Sequence, residues 1–366
     1  MSTYSHILTH FQLEGQLQKL QAWGGGHINH TYLAEYEQDG HRLRYILQRI
    51  NQQVFRQPEA VMHNLAVVCT HLYRKWQKAG LADLERKCLQ YVPTRQGQAA
   101  YVDETGAYWR VLRFIEHSVA IDYVQRPEQA FEAARAFARF QQGLEGLEVT
   151  EIRETIPFFH HLGRRYAQFQ QALAADVAGR KAGVEAEIEL AHQQYERNLP
   201  LLQALEQGHI PLRIVHNDTK INNVLLDAHS GQGLCVIDLD TLMPGSLLYD
   251  FGDMLRTFTS PVPEDEPDVS RVRLQLPLFE ALCRGYLPPL RKLLTPAEGE
   301  LLLAAGHYMT FIMGLRFLTD YLMGDVYYKT RFPTHNLLRA RNQFALIQNM
   351  DQQAAAMQRI LKEVMR

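Results

Sequence analysis

Ahead of residue 117, apolar residues recur mainly at alternate positions in short runs. Lys19–Trp23 and Thr31–Tyr36 flank Gly24, Gly25 and Gly26, which predicts two strands joined by a glycine turn. Gln38-Asp39-Gly40 marks a second turn, and Arg44–Ile50 reads as a third strand. From Pro58 to Lys78 the spacing changes: Val61, Leu65, Val68, Leu72 and Trp76 recur three or four apart, the stripe of an amphipathic helix. Two more strands, near Ala99–Val102 and Tyr108–Ile115, are joined by the turn Asp103-Glu104-Thr105-Gly106. The pattern is a small sheet with one helix.

After His117 the period is mainly helical. Phe131, Ala134, Phe137, Ala138 and Phe140 mark one helix; Val184, Ile188 and Ala191 mark another. Leu212–Val215, Val224–Leu226 and Leu234–Ile237 form a short β interruption. Thr295-Pro296-Ala297-Glu298 has the composition of a capped helix start, and a last helix is expected from about Thr334 to the C-terminus. The chain therefore reads as α+β, with a small lobe over residues 1–116 and a larger, mainly helical lobe over 117–366. The boundary falls in Glu116–Asp122.

Composition narrows the class. The 366 residues are 46% hydrophobic, enough for a shared core in two lobes. Lys plus Arg is 38 against 40 for Asp plus Glu, a formal net charge of −2, which gives no pull towards nucleic acid or a membrane surface. Cys69, Cys88, Cys235 and Cys283 are far apart and form no metal-ligand spacing, as expected for reduced thiols in the cytoplasm. The N-terminal residues lack the basic start and apolar run of a signal peptide, and no stretch of eighteen apolar residues occurs.

The segment 213–227, RIVHNDTKINNVLLD, carries the chemistry. Phosphoryl transfer to a hydroxyl needs a carboxylate to orient that hydroxyl and accept its proton, oxygen ligands for a metal, and a cation near the transferred group. His216-Asn217-Asp218 lies between two apolar strands, with Asp218 placed as the base, Lys220 as the cation and Asn223 as a metal ligand. His216 is expected to brace the loop. Asp238, 20 residues after Asp218 at the end of the next strand, completes a magnesium-type oxygen set, with Asp240 in reserve. Asp250-Phe251-Gly252 spells a protein-kinase motif but comes 32 residues after the base. It is read as a decoy whose Asp250 bonds the backbone of the catalytic loop.

The loop HNDTKINN with the later IDLD resembles the aminoglycoside phosphotransferase and choline kinase superfamily, which has a bilobal protein-kinase-like fold. The wider set GGGHINHTYL, RYILQRIN, WRVLRFIEH, CVIDLDTLMPGSLLYDFGDMLR, LRFLTDYLMGDVYY and HNLLRAR is similar to bacterial N-acetylhexosamine 1-kinases. The resemblance implies ATP between the lobes, under Gly24, Gly25 and Gly26. Laid over the kinase V-A-I-K strand, Ile46 faces the adenine and Gln48 stands where the phosphate-binding lysine belongs; either Gln48 bonds phosphate without charge or Arg49 reaches round. The linker through Glu116 is expected to hold the adenine edge by backbone groups.

Arg316 and Asp320 interrupt an otherwise apolar helix near Leu301–Leu322 at i and i+4. They form a salt bridge with each other or face the cleft as acceptor ligands. Tyr327 and His27 are the other acceptor candidates, and Glu264-Asp265-Glu266 reads as a solvated surface run. The implied activity is ATP- and Mg2+-dependent phosphorylation of the anomeric hydroxyl of N-acetylhexosamines. The alternatives are another hydroxyl acceptor, such as an aminoglycoside or a choline-like alcohol, or a kinase-like binding module without activity.

Overall fold

The structure, a computed structural model, describes residues 4–24 and 28–366. Gly25, Gly26 and His27, three of the expected ligand contacts, lie outside the described residues.

The N-terminal sheet is antiparallel, with spatial order Gln16–Ala22, His30–Gln38, His41–Arg49, Tyr108–Arg113 and Tyr91–Val92; Tyr101–Val102 also pairs with Tyr108–Arg113. Side chains alternate across it. Tyr45, Leu47, Trp109 and Val111 point to one face, where Ile7, Leu8 and Phe11 from the N-terminal segment close a small core. Ile46, Gln48, Arg110 and Leu112 therefore share the opposite face. The helix Pro58–Lys78 begins with proline in its first turn and Glu59 at the positive end of its dipole. Its stripe of Val61, Leu65, Val68 and Leu72 joins the larger hydrophobic core of the C-terminal half.

That half is mostly helical. Helix Leu302–Leu322 is buried nearly all round and packs against His335–Met365, Leu247–Phe258, Leu162–Ala175 and Glu185–Glu206. The close approach of Leu247–Phe258 explains Gly252: a Cβ there would stand 2.3 Å from the Ala305 carbonyl oxygen. The capping box at Thr295 forms as expected, with Glu298 N–H donating to Thr295 Oγ1 at 3.2 Å and Thr295 N–H to Glu298 Oε2 at 2.8 Å. It starts only the five-residue helix Pro296–Glu300, and the long helix follows at Leu302. Strand Tyr91–Val92 was not anticipated: two residues ahead of Pro93 are too short to show a period. Among the described residues no helix is long and apolar enough to cross a membrane, and the four cysteines are free and buried.

Candidate active site

Two short antiparallel strand pairs build the floor of the site. Arg213–Val215 pairs with Met243–Gly245, and Val224–Asp227 pairs with Gly233–Val236. The loop 216–223 leaves the first pair and enters the second, so its polar residues are held at both ends. Asn217 at φ 65° and Asp238 at φ 58° are both left-handed, a costly conformation for non-glycine residues that places each at a sharp bend.

The bends are fastened by hydrogen bonds. Asp250, at the start of helix Leu247–Phe258, accepts from the backbone N–H of His216 at 3.0 Å and of Asn217 at 2.8 Å. This is the role expected for it. His216 is fully buried; its Nε2–H donates to the Ile237 carbonyl at 2.9 Å and its Nδ1 accepts from Asp218 N–H at 3.3 Å. Asn217 Nδ2 donates to the Thr241 carbonyl at 3.0 Å, and Thr241 Oγ1 to the His216 carbonyl at 2.8 Å. The loop and the 238–241 turn thus form one rigid unit.

Asp218, Lys220 and Asn223 meet inside it. Lys220 Nζ is 2.9 Å from Asp218 Oδ1, and Asn223 Nδ2 donates to Asp218 Oδ2 at 3.0 Å and to the Asp218 carbonyl at 2.7 Å. Burial pushes the Asp218 carboxyl up, but the Lys220 ammonium, with help from His216 and Asn223, outweighs it and holds it at about 2. Asp218 in turn raises the Lys220 ammonium. The carboxylate is ionised at neutral pH and oriented through both oxygens.

Asp238 differs in kind. Among the described residues its carboxylate has no hydrogen-bond or ion-pair partner, and although solvent reaches it, its carboxyl is pushed up to about 7 by lost hydration first, then by Asp240 and Asp218. Asn223 spends its NH2 group on Asp218, which leaves Oδ1 as an oxygen donor. An unpartnered carboxylate beside other acids, together with an amide oxygen, fits a hard divalent cation. No group of three His, Cys, Asp or Glu side chains among the described residues is arranged to hold a metal alone. Such a donor pair suits magnesium, which completes its shell with water and phosphate oxygens.

Asp240 is paired: Arg110 Nη1 donates to Oδ1 at 2.5 Å and Asn29 Nδ2 to Oδ2 at 2.6 Å, so it braces the sheet against the turn while Asp238 stands open. In the linker, Glu116 turns its carbonyl to Arg86 Nε at 3.0 Å and its carboxylate to Arg44, which leaves its backbone N–H as the group for an adenine edge. Asp320 makes no salt bridge with Arg316. Its carboxylate accepts from the N–H groups of Val326, Tyr327 and Tyr328 at 2.8 to 3.0 Å and from Asn336 Nδ2 at 2.8 Å. It anchors the turn after the helix and has no capacity left for an acceptor.

The strand-lysine question has an unexpected answer. Gln48 sits between Thr31 Oγ1 at 3.1 Å and Arg110 Nε at 2.9 Å, while Arg49 lies on the opposite face over Trp109. The cation beside Gln48 comes from the adjacent strand. Alternation through Trp109-Arg110-Val111 was the available signal, but it needed the pairing of Gln48 with Arg110 to be read. Ile46 is half-buried on this same face, and Gly24 takes φ +70°, which glycine adopts without strain.

Towards the acceptor side, the Arg316 guanidinium lies over three rings, at 5.2 Å from Phe159, 5.6 Å from Tyr327 and 5.6 Å from Tyr328, and among the described residues bonds only to Met313 Sδ. Tyr327 is more than half exposed, at 54%. The Tyr328 hydroxyl is buried without a partner. Arg165 is close enough to Arg316 that, after burial, it helps lower the Arg165 guanidinium to about 10. Buried His160 joins the two regions. Its Nε2–H donates to the Asn217 carbonyl at 2.8 Å; burial lowers the imidazole to about 3, helped by Arg316 and Arg165 and opposed by the Asn217 bond and Asp218. Phe159, His160 and Arg165 carry no motif and escape sequence reading. The run 264–266 is not a solvated surface: Glu264 pairs with Arg256, Asp265 with His335 and Arg331, and Glu266 with Arg271.

A small antiparallel sheet over a helical body, with an Asp-Lys-Asn loop facing an open carboxylate, defines a site of the phosphotransferase type. The chain belongs to the phosphotransferase enzyme family, whose profile matches residues 19–291. Solved structures of the same fold include an aminoglycoside phosphotransferase from Alicyclobacillus acidocaldarius, 15% identical, with 98% of this chain and 93% of that one covered at a TM-score of 0.50. A spectinomycin phosphotransferase in complex with ADP and spectinomycin is 14% identical, with coverage of 94% and 92% and a TM-score of 0.51. Choline kinase from Cryptosporidium parvum is 12% identical, with coverage of 99% and 98% and a TM-score of 0.50. The fold is the α+β, protein-kinase-like one.

Proposed function

We propose that this protein transfers the γ-phosphoryl group of ATP to the anomeric hydroxyl of an N-acetylhexosamine, N-acetylgalactosamine or N-acetylglucosamine, giving the sugar 1-phosphate and ADP. The sugar oxygen bonds to the γ-phosphorus as the bond from that phosphorus to the β-bridging oxygen breaks. Residues 1–116 hold the nucleotide; residues 117–366 supply the catalytic loop and the acceptor pocket. Asp218 orients the hydroxyl and receives its proton. A carboxyl held at about 2 is a weak base, so the proton moves late, as a loose transition state allows. Lys220 offsets charge on the transferred group, and Asn223 with Asp238 would hold magnesium, which neutralises phosphate charge. Gln48 stands at the phosphate-side position as a neutral group, since the neighbouring Arg110 is paired with buried Asp240. The buried free thiols suit a reducing compartment, and we place the enzyme in the cytoplasm.

The observation that favours this acceptor is the cluster of guanidinium groups and rings beside His160. Two guanidinium groups, Arg165 and Arg316, stand there without a carboxylate partner, and the aromatic cluster that could cage a quaternary ammonium is filled by the protein's own Arg316. Such a cluster repels polycationic aminoglycosides and choline and accepts a neutral ligand rich in hydroxyl and carbonyl oxygens. The sequence similarity to N-acetylhexosamine 1-kinases points the same way. Phosphorus NMR of reactions with a panel of N-acetylhexosamines, aminoglycosides and choline tests the proposal. A product resonance coupled to the anomeric proton is expected, and phosphorylation of only the cationic acceptors contradicts it.

A further inference from the structure

Behind the nucleotide linker lies a second cavity, of about 800 Å³, between helices Pro58–Lys78 and Pro127–Gly143, the short helix Leu84–Lys87 and the hairpin 224–236. It shares no lining residue with the catalytic loop, the glycine turn or the acceptor pocket. Its volume falls in the range of small-molecule sites.

The walls have two characters. Leu72, Trp76, Leu89, Phe140 and Leu234 give an apolar body wide enough for a ring system or a short acyl chain. The rim carries four cations, three of them occupied. Arg86 pairs with Asp83 and Asp227, Lys75 Nζ bonds the Gln142 and Glu145 carbonyls at 2.7 and 2.8 Å, and Lys87 Nζ bonds the Ala82 carbonyl at 2.9 Å. The fourth, Arg139, has no hydrogen bond, ion pair or ring contact among the described residues and feels only the more distant charges of Arg135 and Glu132. These four cations face three carboxylates, Asp83, Glu145 and Asp227, which leaves one net positive charge on the rim. Arg86 also donates to the carbonyls of Glu116 and His117, at 3.0 and 3.1 Å, and so connects this cavity with the linker.

We propose that this cavity is a binding site for a small amphipathic monoanion, with its apolar body against Trp76 and Phe140 and its anionic group on Arg139. A neutral apolar ligand would leave Arg139 unpaired, and a dianion would exceed the rim's single net positive charge, so the charge complement selects one negative charge.

Fluorescence titration of the full chain with 1-anilinonaphthalene-8-sulfonate, an aromatic monoanion, tests this in parallel with the uncharged N-phenyl-1-naphthylamine. One saturable sulfonate site is expected, and it persists under saturating ADP. Arg139→Gln weakens the sulfonate about tenfold while changing the neutral probe less than twofold. Ala79→Trp, at an exposed helix end on the cavity wall, removes both probes. Both variants keep the parent melting temperature. Unchanged sulfonate binding in either variant, displacement of the probe by ADP, or equal affinity for the neutral probe overturns the proposal.

Discussion

Arg110 Nη1 lies 2.5 Å from Asp240 Oδ1, and each side chain is only 2% exposed. This buried ion pair joins the sheet to the turn that carries Asp238, and Gln48 and Asn29 complete it from either side. Removing one member of such a pair strands the other charge in a poorly hydrated interior. Arg110→Met is therefore expected to cost about 3–5 kcal/mol, while Arg110→Met with Asp240→Leu recovers most of that loss. Gln48 and Asn29 retain Thr31 and Asn51 as partners in the double variant. Urea unfolding of the three variants checks this, and additive losses would show that the two residues act independently.

Asp238 is an acid kept among acids without a compensating bond, which is unfavourable for folding and useful for holding a cation. Asp238→Asn should raise the melting temperature in EDTA at pH 8 and at the same time abolish magnesium-dependent turnover. Thermal scans with and without magnesium separate the two effects; a lowered melting temperature in EDTA would contradict this reading of Asp238.

Arg316 is held by rings and a thioether, not by a carboxylate, so its removal leaves no stranded anion. Arg316→Gln should therefore spare stability and nucleotide KM while raising the acceptor KM by about 10–100-fold, the loss of a charge-assisted contact. Arg316→Lys should not restore it, because an ammonium lacks the planar fork. Steady-state kinetics with each substrate varied in turn make the comparison.

His160 is neutral when folded, its imidazole lowered to about 3 by burial. In the unfolded chain it takes up a proton near the usual histidine value of about 6.5. Its contribution is present above pH 6.5 and is lost as pH falls towards 3, because the unfolded state then binds the extra proton. Asp250, raised by burial to about 6, acts in the opposite sense, its contribution being lost as pH rises through that value. The difference between parent and His160→Gln isolates the histidine. Between pH 6.5 and 5 the parent should lose up to about 2 kcal/mol relative to the variant. Denaturant midpoints measured across that range decide it, and parallel curves would show that His160 is protonated in the folded state.

The sequence made the local elements legible where a period runs long enough. The Val61 to Trp76 stripe announced its helix, and alternation announced the strands that carry Gln48 and Arg110. The loop 216–223 was legible because its polar groups are packed into a few residues between two apolar runs. Relationships set by register were hidden. Gln48 and Arg110 are far apart along the chain and meet only because His41–Arg49 pairs with Tyr108–Arg113. Asp320 had the spacing of a salt-bridge partner to Arg316, yet the turn that follows its helix presents three backbone N–H groups that claim it first. The Glu116 carbonyl is likewise diverted by Arg86, on a four-residue helix whose position no local pattern reveals.

The central claim is that Asp218 handles the acceptor's proton from a preformed loop. Parallel measurement of turnover and ADP affinity in Asp218→Asn tests it most directly. The amide keeps the size and the contact with Asn223 but cannot take the proton, so turnover should fall about 10²–10⁴-fold with ADP affinity unchanged. Turnover within a few-fold of the parent, at equal ADP affinity, would contradict it.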